Sequence, residues 1–231
     1  MLKVGLTGGL ASGKSTVAAA LRALGAELIE ADELGRALME PGQPVFASIV
    51  AHFGPAVVAA DGRLNRAALA RIAFAEGRLQ ELNALIHPAV LEAQEGWMRA
   101  VFEKNPAAIA VVESALIFEV ERDARLRGES SGLLASWRNR IDKIIVVTAP
   151  EAVRIERYIA RVSGSGLDRE AAQADARRRL AHQIPDAEKA AQADYVLENT
   201  GDLDDLRQKT AALWAQLQAE SNSSAAPSSL K

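Results

Sequence analysis

The chain's 231 residues, 49% apolar and 25% charged, give room for one core with inserted subdomains and a real apolar interior. The absence of cysteine excludes disulfides, thiolate metal sites and cysteine nucleophiles. A formal charge of -3 argues against polymeric nucleic acid as partner, because such proteins carry a basic excess. The sequence shows no leader pattern and no apolar run of about 18 residues, so no membrane partner is expected and the cytoplasm is the expected compartment.

The elements follow in chain order. Leu2 to Thr7 reads as a short strand buried on both faces. Glycines follow, then an alanine-rich helix from Lys14 to Leu24 and a second apolar run at 26–29. This order is the opening of an α/β parallel sheet. Residues 32–102 read as mainly helical, punctuated by Pro41, Gly42, Pro44, Gly54, Pro55, Asp61 and Gly62. Helical spacing recurs at 66–75 and 79–86, and Pro88 suggests a helix start. Ala107 to Glu113 is the next buried strand, and Ile141 to Thr148, rich in β-branched residues, is the clearest strand. Helices are expected over 152–162 and 169–182, broken at Ser163-Gly164-Ser165-Gly166. Tyr195 to Glu198 reads as the last strand and Leu203 to Gln218 as the closing helix. The Ser/Ala-rich stretch from Ser221 onward is expected to be disordered.

The strongest motif is Gly8-Gly9-Leu10-Ala11-Ser12-Gly13-Lys14-Ser15, which fits G-x-x-x-x-G-K-[ST]. Glycines let the backbone turn with positive φ and approach phosphates closely. Successive N–H groups of such a turn bind anions, and the helix beginning near Lys14 adds its positive end. Lys14 is placed to reach the β- and γ-phosphates of a nucleotide, and Ser15 to ligate Mg²⁺. The alternative, a glycine-rich turn without ligand, fits poorly because the motif follows a strand and opens a helix.

A phosphate loop leaves two function classes open: a small-molecule kinase, or a nucleotide-driven switch. A guanine-specific switch carries Asn-Lys-x-Asp, and none occurs here; no Asp-x-x-Gly follows the strand at 107–113. A kinase needs an acceptor region and a lid that excludes water. The helical segment after the second strand and the arginine-rich helices after the fourth provide them. Asp32 lies just past the second strand, where strand ends face the ligand crevice. It either accepts the proton of an attacking hydroxyl or caps the following helix. Arg154, Arg157 and Arg161 share one helical face. That face suits phosphoryl charge, or is a solvated surface paired with Glu151 and Glu156. The Arg177-Arg178-Arg179 run has at least one member facing solvent.

Read together, these pieces resemble the dephospho-CoA kinase family. The phosphate loop from Gly5 to Ala18, Glu30-Ala31-Asp32, Glu40-Pro41-Gly42, Phe53-Gly54 and Asp61-Gly62-Arg63-Leu64-Asn65-Arg66 carry the likeness. So do His87-Pro88, Leu116-Ile117-Phe118-Glu119, Arg157, Arg161, Gln183, Lys189, Ala193-Asp194-Tyr195-Val196 and Asn199-Thr200-Gly201. The family's Asp-Ala-Asp begins here with Glu30, and its proline before Leu-Leu-Phe-Glu is Ala115. Where the family often has Gln in the lid, this chain has Arg154, so no family role passes to that residue. The stretch 120–140 is longer than usual and is expected to be a surface loop.

The resemblance implies an α/β P-loop NTPase core with a five-stranded parallel sheet flanked by helices, a helical substrate-binding insertion and a helical lid. Residues 1–31, 107–150 and 194–219 would form the nucleotide-binding core, 32–106 the acceptor region, 151–193 the lid and 220–231 the tail. The implied reaction transfers phosphate from ATP, with Mg²⁺, to the ribose 3′-hydroxyl of dephospho-CoA, the last step of coenzyme A synthesis. Asp32 would be the proton acceptor, with Lys14, Arg157 and Arg161 stabilising phosphoryl charge. Gly9, Leu10, Ala11, Ser12, Gly13, Lys14, Ser15 and Thr16 would hold the phosphates, with Ser15 on the metal. Asn199 and Gly201 would lie by the adenine. Arg66, with Asp32, would meet the acceptor; His87 either does so too or only caps or packs at a helix start. Glu119 either orients metal-bound water or starts a helix. A monomer is expected, with an oligomer left open.

Overall fold

The computed structural model describes residues 1–164 and 166–225. Five strands form one parallel sheet: β1 (Leu2–Gly8), β2 (Glu27–Glu30), β3 (Ile109–Glu113), β4 (Lys143–Thr148) and β5 (Tyr195–Glu198), in the order β2-β3-β1-β4-β5. β1 is central, with Val4 paired to Val111 on one side and to Lys143 on the other. A central parallel strand is covered on both faces. Val4 and Leu6 are accordingly fully buried, as are Val111, Ile145 and Val147.

The connections are helical: α1 (Lys14–Ala23), α2 (Ala31–Leu38), α3 (Pro44–Phe53), α4 (Arg66–Ala70), α5 (Leu79–Lys104) and α6 (Ile117–Leu126) in the first half. α7 (Glu151–Val162), α8 (Arg169–Ala181), α9 (Asp186–Ala190) and α10 (Leu203–Ala225) complete the chain. No helix among the described residues is long and apolar enough to cross a membrane.

Two compact units emerge. The first comprises Met1–Ile29, Met98–Glu119 and the chain from Arg140 onward. Its core joins β1, β3, β4 and β5 to α1 and α10 through Val17, Leu21, Leu206, Leu213, Trp214 and Leu217. Each such side chain contributes roughly 1.5–3 kcal/mol relative to exposure. A second cluster in this unit unites α7 and α8 through Ile155, Tyr158, Ile159, Ala172 and Ala176, and Leu10 and Ala11 of the glycine-rich loop pack against it.

The second unit comprises Glu30–Trp97 and Val120–Asn139. Val45, Ile49, Val57, Leu69 and Ile72 form its centre. Several local expectations change here. The stretch 66–75 begins as α4 but continues as a π-helical turn over Arg71–Ala75. Pro88 starts no helix; it lies inside the 26-residue α5, whose packing outweighs the lost backbone bond. The long 120–140 segment is not a loose surface loop. Trp137 is buried, its N–H donates to Glu121 Oε2 at 3.0 Å, and Arg127 bridges Glu129 at 2.6 Å and Gln80 at 3.3 Å.

α10 runs to Ala225, so the expected disorder does not hold from 220 to 225, and residues 226–231 lie outside the described residues. Tyr195 and Lys143 both engage Glu220, which ties that last stretch of α10 to the sheet. Of the expected break at 163–166, Ser165 also lies outside the described residues.

Candidate active site

β1 hands the chain to α1 through Gly9–Gly13. Ser12 N–H donates to Gly9 O at 3.1 Å, closing the turn. Gly13 has φ 103°, in the left-handed region that favours glycine. Gly8 is required for space, because a Cβ there would stand 2.5 Å from Val147 O and 2.6 Å from Ser12 Oγ. Gly13 offers no side-chain cap to α1, so no side chain competes with an anion for the first-turn amides. Ser15 is exposed at that helix start, and Thr16 is half-buried beside it. Ser12 is fully buried and its Oγ has no partner, so its contribution to a phosphate comes from the backbone.

Lys14 forms an ion pair with Glu113, the last residue of β3. Glu113 was missed by sequence reasoning. The rule that drew attention to Asp32, that strand C-termini face the ligand, applies to it equally. The pair places a carboxylate next to the loop's lysine and gives that lysine a counterion within the protein.

Three side chains from distant parts of the sequence hold the loop in place. Asn199, just past β5, donates from Nδ2 to Ser12 O at 2.7 Å. Its own N–H donates to Thr148 O at 2.8 Å, tying it to the end of β4. Arg157 Nη2 donates to Asn199 Oδ1 at 3.3 Å. The buried Asn199 amide is thus engaged by protein on both its polar atoms. Gln183 accepts from Leu10 N–H at 3.0 Å, fastening the far end of α8 to the loop. Gly201 sits in the exposed turn before α10, where a Cβ would crowd Asp205 at 2.5 Å.

The arginines of α7 are graded. Arg154 is buried, Arg157 half-buried and Arg161 exposed. The solvated-surface reading fails for the first two: Glu156 pairs instead with Arg169 at 2.6 Å, while Arg154 pairs with Asp186 at 3.1 Å. Arg157 Nη1 is buried without a hydrogen-bond partner, a donor left for an incoming acceptor. Arg161 lies over the Tyr158 ring at 5.4 Å, and Arg179 also approaches that ring at 5.7 Å. In the basic run, Arg178 and Arg179 both pair with Asp175 and Arg177 faces solvent.

Glu119 is a structural group. Its Oε1 lies 2.7 Å from Lys189 Nζ and accepts Ile184 N–H at 2.9 Å, and both side chains of the pair are buried. Lys189 also donates to Ala115 O at 3.2 Å. Glu119 lies in the first turn of α6, and its Oε2 is buried without a hydrogen-bond partner.

The second unit carries the residues expected to meet an acceptor. α2 begins at Ala31 with Glu30 as its N-cap position, and no side chain caps it. Asp32 is thus no cap; it is exposed in the first turn and makes no hydrogen bond or ion pair among the described residues. Arg66 is exposed at the first position of α4, whose cap is Asn65, accepting Ala68 N–H at 3.0 Å. His87 is on α5, and burial pushes its imidazole down to about 4, with the Asp123 carboxylate opposing and Arg127 assisting. The ring is therefore neutral at pH 7, with Nδ1 buried and unpartnered. No hydrogen bond or ion pair joins Asp32, Arg66 and His87 to one another.

Among the described residues no group of three or more His, Asp or Glu side chains could hold a metal ion by itself. The loop's own oxygen donor, the exposed Ser15 hydroxyl, suits a Mg²⁺ ion that takes its remaining ligands from phosphate and water.

Known proteins agree with this geometry. A family model described as Dephospho-CoA kinase matches residues 2–205. The dephospho-CoA kinase of Moorella thermoacetica is 38% identical over 94% of this chain and 93% of its own length. That of Anaeromyxobacter dehalogenans is 42% identical over 94% and 92%. Among solved structures, TT1252 from Thermus thermophilus superposes with a TM-score of 0.68 at 34% identity, covering 93% of this chain and 96% of its own. Dephospho-CoA kinase from Campylobacter jejuni, at 24% identity and a TM-score of 0.62, shares the fold over 94% and 97%. The phosphate loop, the parallel sheet and the match across nearly the whole length lead to one conclusion: this chain belongs to the dephospho-CoA kinase family.

Proposed function

We propose that this chain transfers the γ-phosphoryl group of ATP to the ribose 3′-hydroxyl of dephospho-CoA, giving coenzyme A and ADP. The observation that carries the reading is the phosphate loop, built where Cβ atoms are excluded and opening α1 at Lys14, in a chain matched by its family over residues 2–205.

The acceptor oxygen forms a bond to the γ-phosphorus as the bond to the bridging oxygen of ADP breaks. Charge then spreads over the transferring oxygens, so catalysis is chiefly positioning and electrostatic stabilisation. The amides of Gly9, Leu10, Ala11, Ser12, Gly13, Lys14, Ser15 and Thr16 are the proposed phosphate cradle. Lys14 exchanges Glu113 for the β- and γ-phosphates. Arg157 brings its unpartnered Nη1, and Arg161 a solvent-facing charge, to the developing charge from the lid. Asp32 takes the hydroxyl proton, which its unengaged carboxylate is free to do. Mg²⁺, held by Ser15 and the phosphates, would supply charge neutralisation.

Arg66 is the proposed cation for the acceptor's phosphates, and His87 a neutral polar contact in the same 32–106 region. Asn199 and Gly201 border the base, with Asn199 acting through the loop it holds. Residues 151–193 act as the lid. The substrates are small and water-borne, which fits a cytoplasmic monomer.

A coupled assay for ADP across dephospho-CoA, AMP, CMP and water as acceptors tests this. Turnover should require Mg²⁺ and be far fastest with dephospho-CoA. If dephospho-CoA gave no ADP while another acceptor did, the acceptor assignment would be wrong and the kinase class would stand.

A further inference from the structure

Arg154 is a charged helical residue whose surroundings are those of a buried one. It sits on α7 one turn before Arg157, yet it is only 8% exposed. Its guanidinium lies against the glycine-rich loop: a Cβ on Gly9 would overlap Nη1 and stand 2.7 Å from Asp186 Oδ1. Gly9 is therefore glycine because a cation and its carboxylate partner occupy the space above it.

That cation has capacity left over. Nη1 is 3.1 Å from Asp186 Oδ2, so the carboxylate engages one end of the guanidinium. Nε is buried without a hydrogen-bond partner. An arginine carries five N–H donors in a planar fork that matches phosphate oxygens. A buried guanidinium with spare donors is costly unless something anionic completes its shell. Asp186 completes it poorly. Burial pushes its carboxyl above the usual range, while Arg154 and Lys189 pull it back and Ala149 N–H donates to it.

We infer that Arg154 is a further phosphate-binding residue of this lid, held by Asp186 when the loop is vacant and transferred to the terminal phosphate of a bound nucleoside triphosphate. Gly9, lacking a Cβ, lets the guanidinium sit directly against the loop, and Arg157, three residues on, binds the same charge from the next turn. Asp186 is the competing anion and so a positioning residue. The inference rests on the kinase reading only for the triphosphate as ligand; it needs no particular acceptor.

The test compares binding of Mg²⁺ with a non-hydrolysable ATP analogue against binding of Mg²⁺ with ADP, by calorimetry on the full chain. In Arg154→Gln, which removes the charge and keeps a polar side chain, the analogue should bind about tenfold more weakly, the scale of one charge-assisted contact. ADP, lacking the γ-phosphate, should change less than about twofold. In Asp186→Asn the guanidinium loses its competitor, so the analogue-to-ADP affinity ratio should rise or hold while the melting temperature falls. If Arg154→Gln weakened both ligands equally, or neither, or if Asp186→Asn lowered the ratio, the pair would be a latch for the lid and nothing more. Where Arg154→Gln does not fold, the direction of the ratio in Asp186→Asn decides alone. ADP formation by the unaltered chain with dephospho-CoA is scored separately, so loss of the acceptor assignment leaves these binding outcomes intact.

Discussion

Asp32 shows how much one carboxylate can be asked to do. It lies in the first turn of α2, where a negative charge is favourable at the helix start, but it caps nothing and pairs with nothing. An acid that earned its place by stability would be expected to accept a backbone N–H, as Asn65 and Asp168 do at the starts of α4 and α8. Replacement by Asn removes the proton acceptor and preserves shape. The expected result is a fall in kcat of roughly 10²–10⁴-fold, with ATP affinity and melting temperature nearly unchanged, measured by ADP release, calorimetry and thermal unfolding. Unchanged turnover would remove Asp32 from the chemistry. The placement of Asp32, Lys14 and Ser15 was legible because it is local: each opens a helix shortly after a strand. Asn199, Gln183 and Glu113 act on the loop from 187, 173 and 99 residues away, and no periodicity or spacing reports such contacts. Arg154 and Asp186 were opaque for the same reason, since a charged residue on a helix reads as solvated until burial is known.

At the scale of elements, the pairing of α6 with α9 is the most exposed to test. Glu119 in the first turn of α6 and Lys189 in α9 are both buried, and Ile184 N–H and Ala115 O complete the group. Removing one partner strands an ion away from water. Glu119→Met or Lys189→Met alone should each cost about 3–5 kcal/mol, whereas replacing both residues with Met should cost far less. Urea unfolding of the two single variants and the double variant measures this as a strongly non-additive cycle. Additive losses would show that the ions are stabilised independently. The α9 segment was not visible beforehand because five residues carry too little pattern, while the strands were found within two residues because a β-branched run such as 143–148 admits little else. The end of α10 was misjudged by composition: a Ser/Ala-rich stretch is helical to Ala225 because Glu220 and Ser221 anchor it, Ser221 donating to Ala107 O at 3.4 Å.

For the whole molecule, two units with separate cores imply two separable responses. His87 belongs to the second. Its value of about 4 lies below the ordinary 6.5, so the unfolded chain binds a proton more readily than the folded one as pH falls. The stability is complete above about 6.5 and is lost between there and about 4. With its partial exposure allowed for, the loss is on the order of 1–2 kcal/mol. Melting curves of the unaltered chain and His87→Gln should converge as pH falls through this window, and parallel curves would show that the imidazole is not the responsible group.

Ligands should divide along the same boundary. A ligand at about one hundred times its Kd stabilises what it binds by roughly 2.7 kcal/mol, and hydrogen exchange locates that gain along the chain. The non-hydrolysable ATP analogue should protect residues 9–16 and α7, where Leu10 and Ala11 already pack against Ile155 and Tyr158, and leave the cluster around Ile49 and Val57 unchanged. Dephospho-CoA alone should protect amides around Asp32, Arg66 and His87 in the second unit. Its protection falling only on the phosphate loop and α7 would move the acceptor site out of residues 32–106 and return Arg66 and His87 to structural roles. Protection of both units by either ligand alone would mean that the two units do not respond separately.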